Sequence, residues 1–293
     1  MKLATAQYTI GEPHDFTAFA ERVSVRVADA ARAGAQLLVL PEYLALEAAA
    51  ILGHAERADF LRSLAGLQTH HAAYVALARE LAQKHSIYLV AGSFLLDIDG
   101  ARYRNRAYFV SPQGHVAFQD KLTLTGFERS AGVIVPGDEL KVFDTAFGRV
   151  GIDICYDIEF PLYARAQVEA GARMILVPSC TDTAAGANRV RVGCQARALE
   201  NQVFVACAVT AGDAAWSPAL DVNTGRATIY TPIDRGFPSD GVQVQAAENA
   251  DWAIAELDLA ALDAFKREAQ VANANDWLAQ LRPPVVQARV ETL

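Results

Sequence analysis

Short apolar runs recur along the whole chain and alternate with stretches whose apolar residues fall three or four apart. That rhythm requires strands and helices in alternation. Lys2 to Thr9 reads as a first strand. Asp15 opens an amphipathic helix through about Ala33, with Phe16, Phe19, Val23 and Val27 on one face and Gly34 closing it. Residues 36–40 form a second strand, and a helix-rich stretch follows, notably 69–84. Strands over 87–95 and 102–111 bracket a turn at Asp97-Ile98-Asp99-Gly100, and Ser111-Pro112-Gln113-Gly114 leads into 115–119. A tight pair over 141–144 and 149–154 precedes a helix over 161–170. Further strands are expected near 174–177, 203–208, 226–230, 242–246 and 252–257, with helices over 188–200 and from about Leu259. Hairpins mixed with βα units favour stacked sheets with helices outside them. No linker or repeat breaks the pattern, so residues 1–293 are expected to form one domain with an irregular tail from about 276.

Three of these runs end in a reactive side chain. QLLVL leads to Pro41 and Glu42, HVAFQD to Lys121, and VGIDI to Cys155, with Tyr156 and Asp157 following. Reactive groups collect where the strands of α/β sheets end. An acid, a permanent cation and a thiol delivered this way are the parts needed to cleave an acyl–nitrogen bond through a thioester.

The stretches LLVLPE, QDKLTLTGFE, GIDICYDIEFP and ARALENQ, in this order, resemble the nitrilase-type carbon–nitrogen hydrolase superfamily. Its catalytic residues are a Glu, a Lys and a Cys in the same sequence. The resemblance implies an α/β fold of the four-layer α-β-β-α sandwich type and an amidase that needs no metal or other cofactor. It also implies a small-molecule amide as substrate and pairing as a homodimer or higher homo-oligomer. Trp277, Leu278 and Leu281 in the tail are candidates for contact with a partner copy or with their own domain.

Cys155 is the expected nucleophile and needs a neighbour that takes its proton. A strand-to-helix elbow at this point, with Pro161 starting the helix, exposes the thiol and offers the Tyr156 backbone N–H to an anion. Glu42 is the expected general base and later acid, because no His lies within the matched motifs. Lys121 is the expected oxyanion stabiliser, and Glu128 resembles a second family Glu that holds the Lys or orients substrate. Asp153 stands where an apolar residue is usual, and strand alternation puts it on the face of Cys155. Arg197, Glu200 and Asn201 read as a structural polar network. Glu159 follows the nucleophile where relatives that hydrolyse N-carbamoyl amino acids carry basic residues. It would repel a substrate carboxylate unless it faces solvent or pairs with a base such as Arg165. Arg189 and Arg191, in the loop after Cys180, remain an alternative carboxylate clamp.

Composition narrows the rest. Hydrophobic residues are 52% and charged residues 20%, as in an ordinary globular protein with ample core. The net charge of −8 disfavours nucleic acid or an anionic membrane as partner. The N-terminal MKLATAQYTI lacks the apolar core and cleavage site of a signal peptide. No apolar stretch approaches the ~18 residues that span a bilayer, so the expected location is cytoplasmic. Cys155, Cys180, Cys194 and Cys207 form no CxxC pair and have no nearby His, which leaves zinc and a disulfide ladder without support. The last three read as small buried hydrophobes. Four readings of function stay open: amide hydrolysis, nitrile hydrolysis by the same residues, hydrolysis of N-carbamoyl amines or amino acids, and a Cys–His thiol hydrolase. The last needs His14, His54, His70, His71, His85 or His115 beside Cys155. An interaction protein on a retired scaffold is opposed by the intact Glu42, Lys121 and Cys155.

Overall fold

The computed structural model describes residues 1–292. Its strands follow the apolar runs: β1 (Lys2–Thr9), β2 (Leu37–Leu40), β3 (Tyr88–Asp97), β4 (Tyr103–Val110), β5 (Val116–Asp120) and β6 (Val142–Thr145) come first. β7 (Gly148–Ile152), β8 (Ala172–Ser179), β9 (Phe204–Ala211), β10 (Thr228–Tyr230), β11 (Val242–Gln245) and β12 (Trp252–Glu256) complete them. One sheet runs β12-β1-β2-β3-β4-β5 and the other β11-β10-β9-β8-β7-β6. The two meet at β1, whose first part pairs with β2 and β12 while Gln7–Thr9 pairs with β9.

The sheets stack with β2 against β8 and β9, and β3 against β8. Leu37–Leu40 and Ile175–Val177 are fully buried, as strands covered on both faces must be. Helices Phe16–Arg32 and His71–His85 cover the outside of the first sheet, and Pro161–Glu169 and Ala184–Asn201 cover the second. This is the expected four-layer α-β-β-α sandwich.

Strand direction places the site. β1, β2, β3, β7, β8 and β9 are mutually parallel, and two antiparallel steps through β4 return β5 to the same sense. Their C-terminal ends therefore share one rim. Glu42 lies just past β2, Lys121 past β5, Cys155 past β7 and Cys180 past β8.

Several local expectations change. The strand expected to reach 154 ends at Ile152, because the chain turns before Cys155. The helix expected from 188 begins at Ala184, where the Thr183 side chain accepts the Gly186 N–H as an N-cap. Arg189 and Arg191 thus lie on a helix and not in a loop. The tail holds short helical turns at Asn273–Asp276 and Trp277–Leu281. Trp277 sits beneath the Arg165 guanidinium of its own chain, 4.9 Å from ring centre to Cζ, while Leu278 and Leu281 are exposed. Among the described residues no helix is long and apolar enough to cross a membrane.

Candidate active site

Each reactive side chain is held by a distinct local device. Glu42 follows Pro41 and precedes Tyr43, which adopts a left-handed φ of 60°. That turn fits because β3 bulges beneath it: a Cβ on Gly92 (φ +73°) would lie 2.4 Å from the Pro41 carbonyl oxygen. Ser93 Oγ on the same bulge accepts the Tyr43 N–H at 2.9 Å. Lys121 is anchored by its own N–H, which donates to the Asn105 carbonyl of β4 at 2.9 Å. Cys155 opens a 3₁₀ turn, Cys155–Glu159, with φ of 49°, a strained conformation typical of functional turns. The helix Ala184–Asn201 braces this turn, since Gly193 permits a close approach to the Ile158 carbonyl and Arg197 Nη1 donates to it at 2.9 Å.

One ammonium is shared by two carboxylates. Lys121 Nζ lies 2.8 Å from Glu42 Oε1 and 2.8 Å from Glu128 Oε2, and all three residues are buried. Glu128 also accepts Tyr43 Oη (2.8 Å), Asn105 Nδ2 (3.1 Å), the Thr125 N–H (2.9 Å) and Thr125 Oγ1 (3.1 Å). Glu42 accepts Asn105 Nδ2 at 2.8 Å and the Cys180 N–H at 3.1 Å. Burial raises the pKa of both acids. In Glu128, Lys121 and the denser donor set overcome it, so its carboxyl is held below the usual range. In Glu42 burial outweighs Lys121, with the Glu128 charge adding to it, and the carboxyl is held above the usual range. Burial alone would lower Lys121, yet Glu42 and Glu128 hold its pKa well above normal. The site has one permanent anion, one permanent cation and one base able to take a proton.

The thiol completes the group. Burial, then the Glu42 charge, pushes the Cys155 pKa well up, so the resting thiol is neutral. Ser179 Oγ donates to Cys155 Sγ at 3.3 Å, and the thiol donates to the Cys180 carbonyl at 3.5 Å. The Tyr156 N–H, in the first turn of the 3₁₀ segment, has no backbone acceptor among the described residues. Glu42, Lys121, Cys155 and Tyr156 line one cavity of about 240 Å³ together with Glu159, Thr125 and Phe127. Glu128 stands behind Lys121, outside the lining. No histidine lines this cavity, which leaves the Cys–His reading without a partner. A larger cavity, about 610 Å³, lies across Thr181 and Val190 and contains none of the three reactive groups.

A sequence model of the carbon-nitrogen hydrolase family matches residues 2–267. The chain belongs to that family. This carbon–nitrogen hydrolase is 31% identical over 277 residues to the probable hydrolase YhcX of Bacillus subtilis, covering 94% of the chain and 53% of the relative. It therefore spans about half the length of that protein. It is 29% identical over 223 residues to the omega-amidase NIT2-A of Xenopus laevis, covering 70% of the chain and 72% of the relative. Among solved structures, Nit3 of Saccharomyces cerevisiae, a nitrilase-superfamily member, superposes with a TM-score of 0.74 at 22% identity, covering 92% of this chain and 94% of that one.

Sequence reasoning missed several members of the candidate site. Asn105 donates to both acids, Tyr43 to Glu128, Ser179 to the thiol and the Cys180 backbone to Glu42. Cys180 is half-buried and lines the cavity, unlike the buried hydrophobe expected. The one available signal was Asn105, a strand-averse residue in the middle of YRNRAYFV. Glu159 pairs with Arg189 at 3.5 Å, while Arg165 pairs with Glu169. Arg189 and Arg191, two apart on the helix, project about 200° from one another. Arg189 reaches this cavity and Arg191 the larger one, so they form no common clamp.

Asp153 does not line the cavity, because β7 ends before it and alternation no longer relates it to Cys155. Both of its carboxyl oxygens and Gln167 Oε1 lack partners. Burial, then the Asp157 charge, raises its pKa to about 8, with Gln167 close by. Gln167 acts to lower that pKa and does not overcome the burial. An unfolded carboxyl ionises near 3.9. The stability that Asp153 contributes is therefore fully present below about pH 4 and lost as pH rises to about 8. Asp153→Asn, whose amide does not titrate, is expected to stabilise the fold at pH 8.5 by a few kcal/mol, on the order of the linkage cost. Denaturant melts at pH 4.5 and 8.5 check this, with the gain expected at the higher pH only.

Proposed function

We propose that this carbon–nitrogen hydrolase converts short neutral or amine-bearing amides to the carboxylic acid and ammonia or amine, through a thioester on Cys155. Glu42 takes the thiol proton as sulfur attacks the amide carbonyl. The oxyanion is met by Lys121 Nζ, two of whose protons serve Glu42 and Glu128, and by the Tyr156 N–H. Protonated Glu42 gives its proton to the departing nitrogen, the C–N bond breaks and the thioester remains. Glu42 then draws a proton from water, the water oxygen attacks the thioester, and the acid leaves as the thiol is restored. Glu128 keeps Lys121 charged and in place throughout.

The observation that carries this reading is geometric: one buried ammonium lies 2.8 Å from both Glu42 and Glu128, and Glu42, Lys121 and Cys155 line one cavity. The name of the omega-amidase relative agrees with an amide substrate. The cavity volume favours a short acyl group. Glu159, Asp182 and Asp221 against Arg189 leave its mouth acidic. A substrate carboxylate there meets repulsion of about 1–4 kcal/mol at a few ångströms, depending on local dielectric.

Ammonia release from matched amides, nitriles, N-carbamoyl amines and N-carbamoyl amino acids tests the assignment. Amides should give the highest kcat/KM, and a clear lead for nitriles or carbamoyl acids would overturn it. Lys121→Ala should lower kcat roughly 10²–10³-fold, as expected for a lost oxyanion donor. A change confined to KM would make Lys121 a binding residue instead.

A further inference from the structure

Two buried carboxyl groups four residues apart flank Cys155, and neither takes part in the proposed chemistry. Their surroundings are opposite. Asp153 has no hydrogen-bond donor on either oxygen. Asp157 has three. Its Oδ1 accepts the Thr123 N–H at 2.7 Å, and its Oδ2 accepts the Leu122 N–H at 3.1 Å and the Ile154 N–H at 3.3 Å. Leu122 and Thr123 directly follow Lys121, and Ile154 directly precedes Cys155. One carboxylate therefore joins the backbone beside the ammonium to the backbone beside the thiol. β5 and β7, which carry these segments, belong to different sheets, so strand pairing does not fix their relative position.

We propose that Asp157 is a positioning residue for hydrolysis: its carboxylate holds the Lys121 loop and the Cys155 turn in the register where ammonium and thiol address one substrate carbonyl. This rests on the roles proposed for Lys121 and Cys155. The chemistry of the acceptor fits the task. A carboxylate offers lone pairs to three converging N–H groups, and bonds from N–H to a charged acceptor are stronger than neutral ones. Oδ2 serves both sides, Leu122 and Ile154, while Oδ1 ties Thr123 to the same turn. Burial raises the Asp157 pKa to about 7, against Lys121 and the three N–H groups that lower it. A buffer at pH 8.5 therefore keeps it charged.

Geometry ranks the variants. In Asp157→Asn the side-chain oxygen can take the Oδ2 place and keep the bridge, while its NH₂ opposes only the Thr123 N–H. In Asp157→Ala all three N–H groups lose their acceptor. At pH 8.5, kcat per titrated thiol should fall a few-fold to about tenfold in Asp157→Asn and about 10²-fold in Asp157→Ala, the scale of a misplaced reacting group. KM should stay within about twofold, because these atoms do not touch the cavity. The rate of Cys155 alkylation by iodoacetamide, followed by peptide mass spectrometry, should fall in the same order. Unchanged kcat in correctly folded Asp157→Ala, or a change in KM alone, would overturn the proposal. If Asp157→Ala fails to fold, Asp157→Asn decides: kcat and alkylation rate both equal to wild type sink the idea. Cys155→Ala separates the two claims. Amide turnover surviving in it would end the thioester reading, whereas the alkylation series reports on Asp157 without any substrate.

Discussion

Replacing Cys155 with alanine is expected to cut amide turnover by roughly a thousandfold or more while leaving the fold intact. The fold should survive because the change removes one sulfur atom from a buried side chain that borders the cavity. That sulfur bonds to Ser179 Oγ and the Cys180 carbonyl, at 3.3 and 3.5 Å. Alanine tolerates the left-handed φ of 49° about as well as cysteine does. Ser179 loses one weak acceptor. Chemically nothing replaces the sulfur. Serine in its place would offer a nucleophile of far higher pKa to the same base, so Cys155→Ser should also be nearly inactive. Steady-state ammonia release, with circular dichroism on the same sample, measures both halves of the prediction. A folded Cys155→Ala protein that still turns over amide would rule out covalent catalysis at this position.

The parts of the site visible in the sequence are those that a strand delivers by ending. Glu42, Lys121 and Cys155 each come after an apolar run, and parallel strands in both sheets bring those ends to one rim. Glu128 was visible only through resemblance to a family, because it comes from the helix Gly126–Ala131, too short for periodicity to reveal. Asn105 belongs to a different case. It reaches both acids because β4 pairs with β3 and β5 in one register, and a one-residue slip would turn it away. The Cys180 N–H meets Glu42 through the stacking of β8 on the opposite sheet, and Ser179 Oγ meets Cys155 through the pairing of β8 with β7; no local pattern encodes either. The same holds for β1, whose split pairing between two sheets arises from twist along one strand. Asp153 shows how alternation fails locally. Period two holds within a strand, but this strand stops at Ile152 and the turn re-aims the side chains beyond it.

Glu42→Gln should be nearly as damaging as loss of the thiol, lowering kcat by about 10³-fold or more, though for a different reason. Glu42 Oε1 receives Lys121 and Asn105, and Oε2 receives the Cys180 N–H. A glutamine can keep its oxygen toward Lys121 and Asn105, which sets its NH₂ against the Cys180 N–H, a modest local conflict. What disappears is the proton acceptor. The Cys155 pKa is already held high by burial, so without a neighbouring base little thiolate forms at neutral pH. Because acid and thiol act on one proton, their effects should not multiply. The double variant Cys155→Ala/Glu42→Gln is expected to be no slower than Cys155→Ala alone, within about tenfold. The pH profile supplies an independent reading. Glu42 must be ionised to act, so wild-type kcat/KM should fall as pH drops through its raised pKa, and that acid limb should be absent from the residual activity of Glu42→Gln. If the variant kept a tenth of wild-type kcat, or reproduced the same acid limb, Glu42 would not be the base.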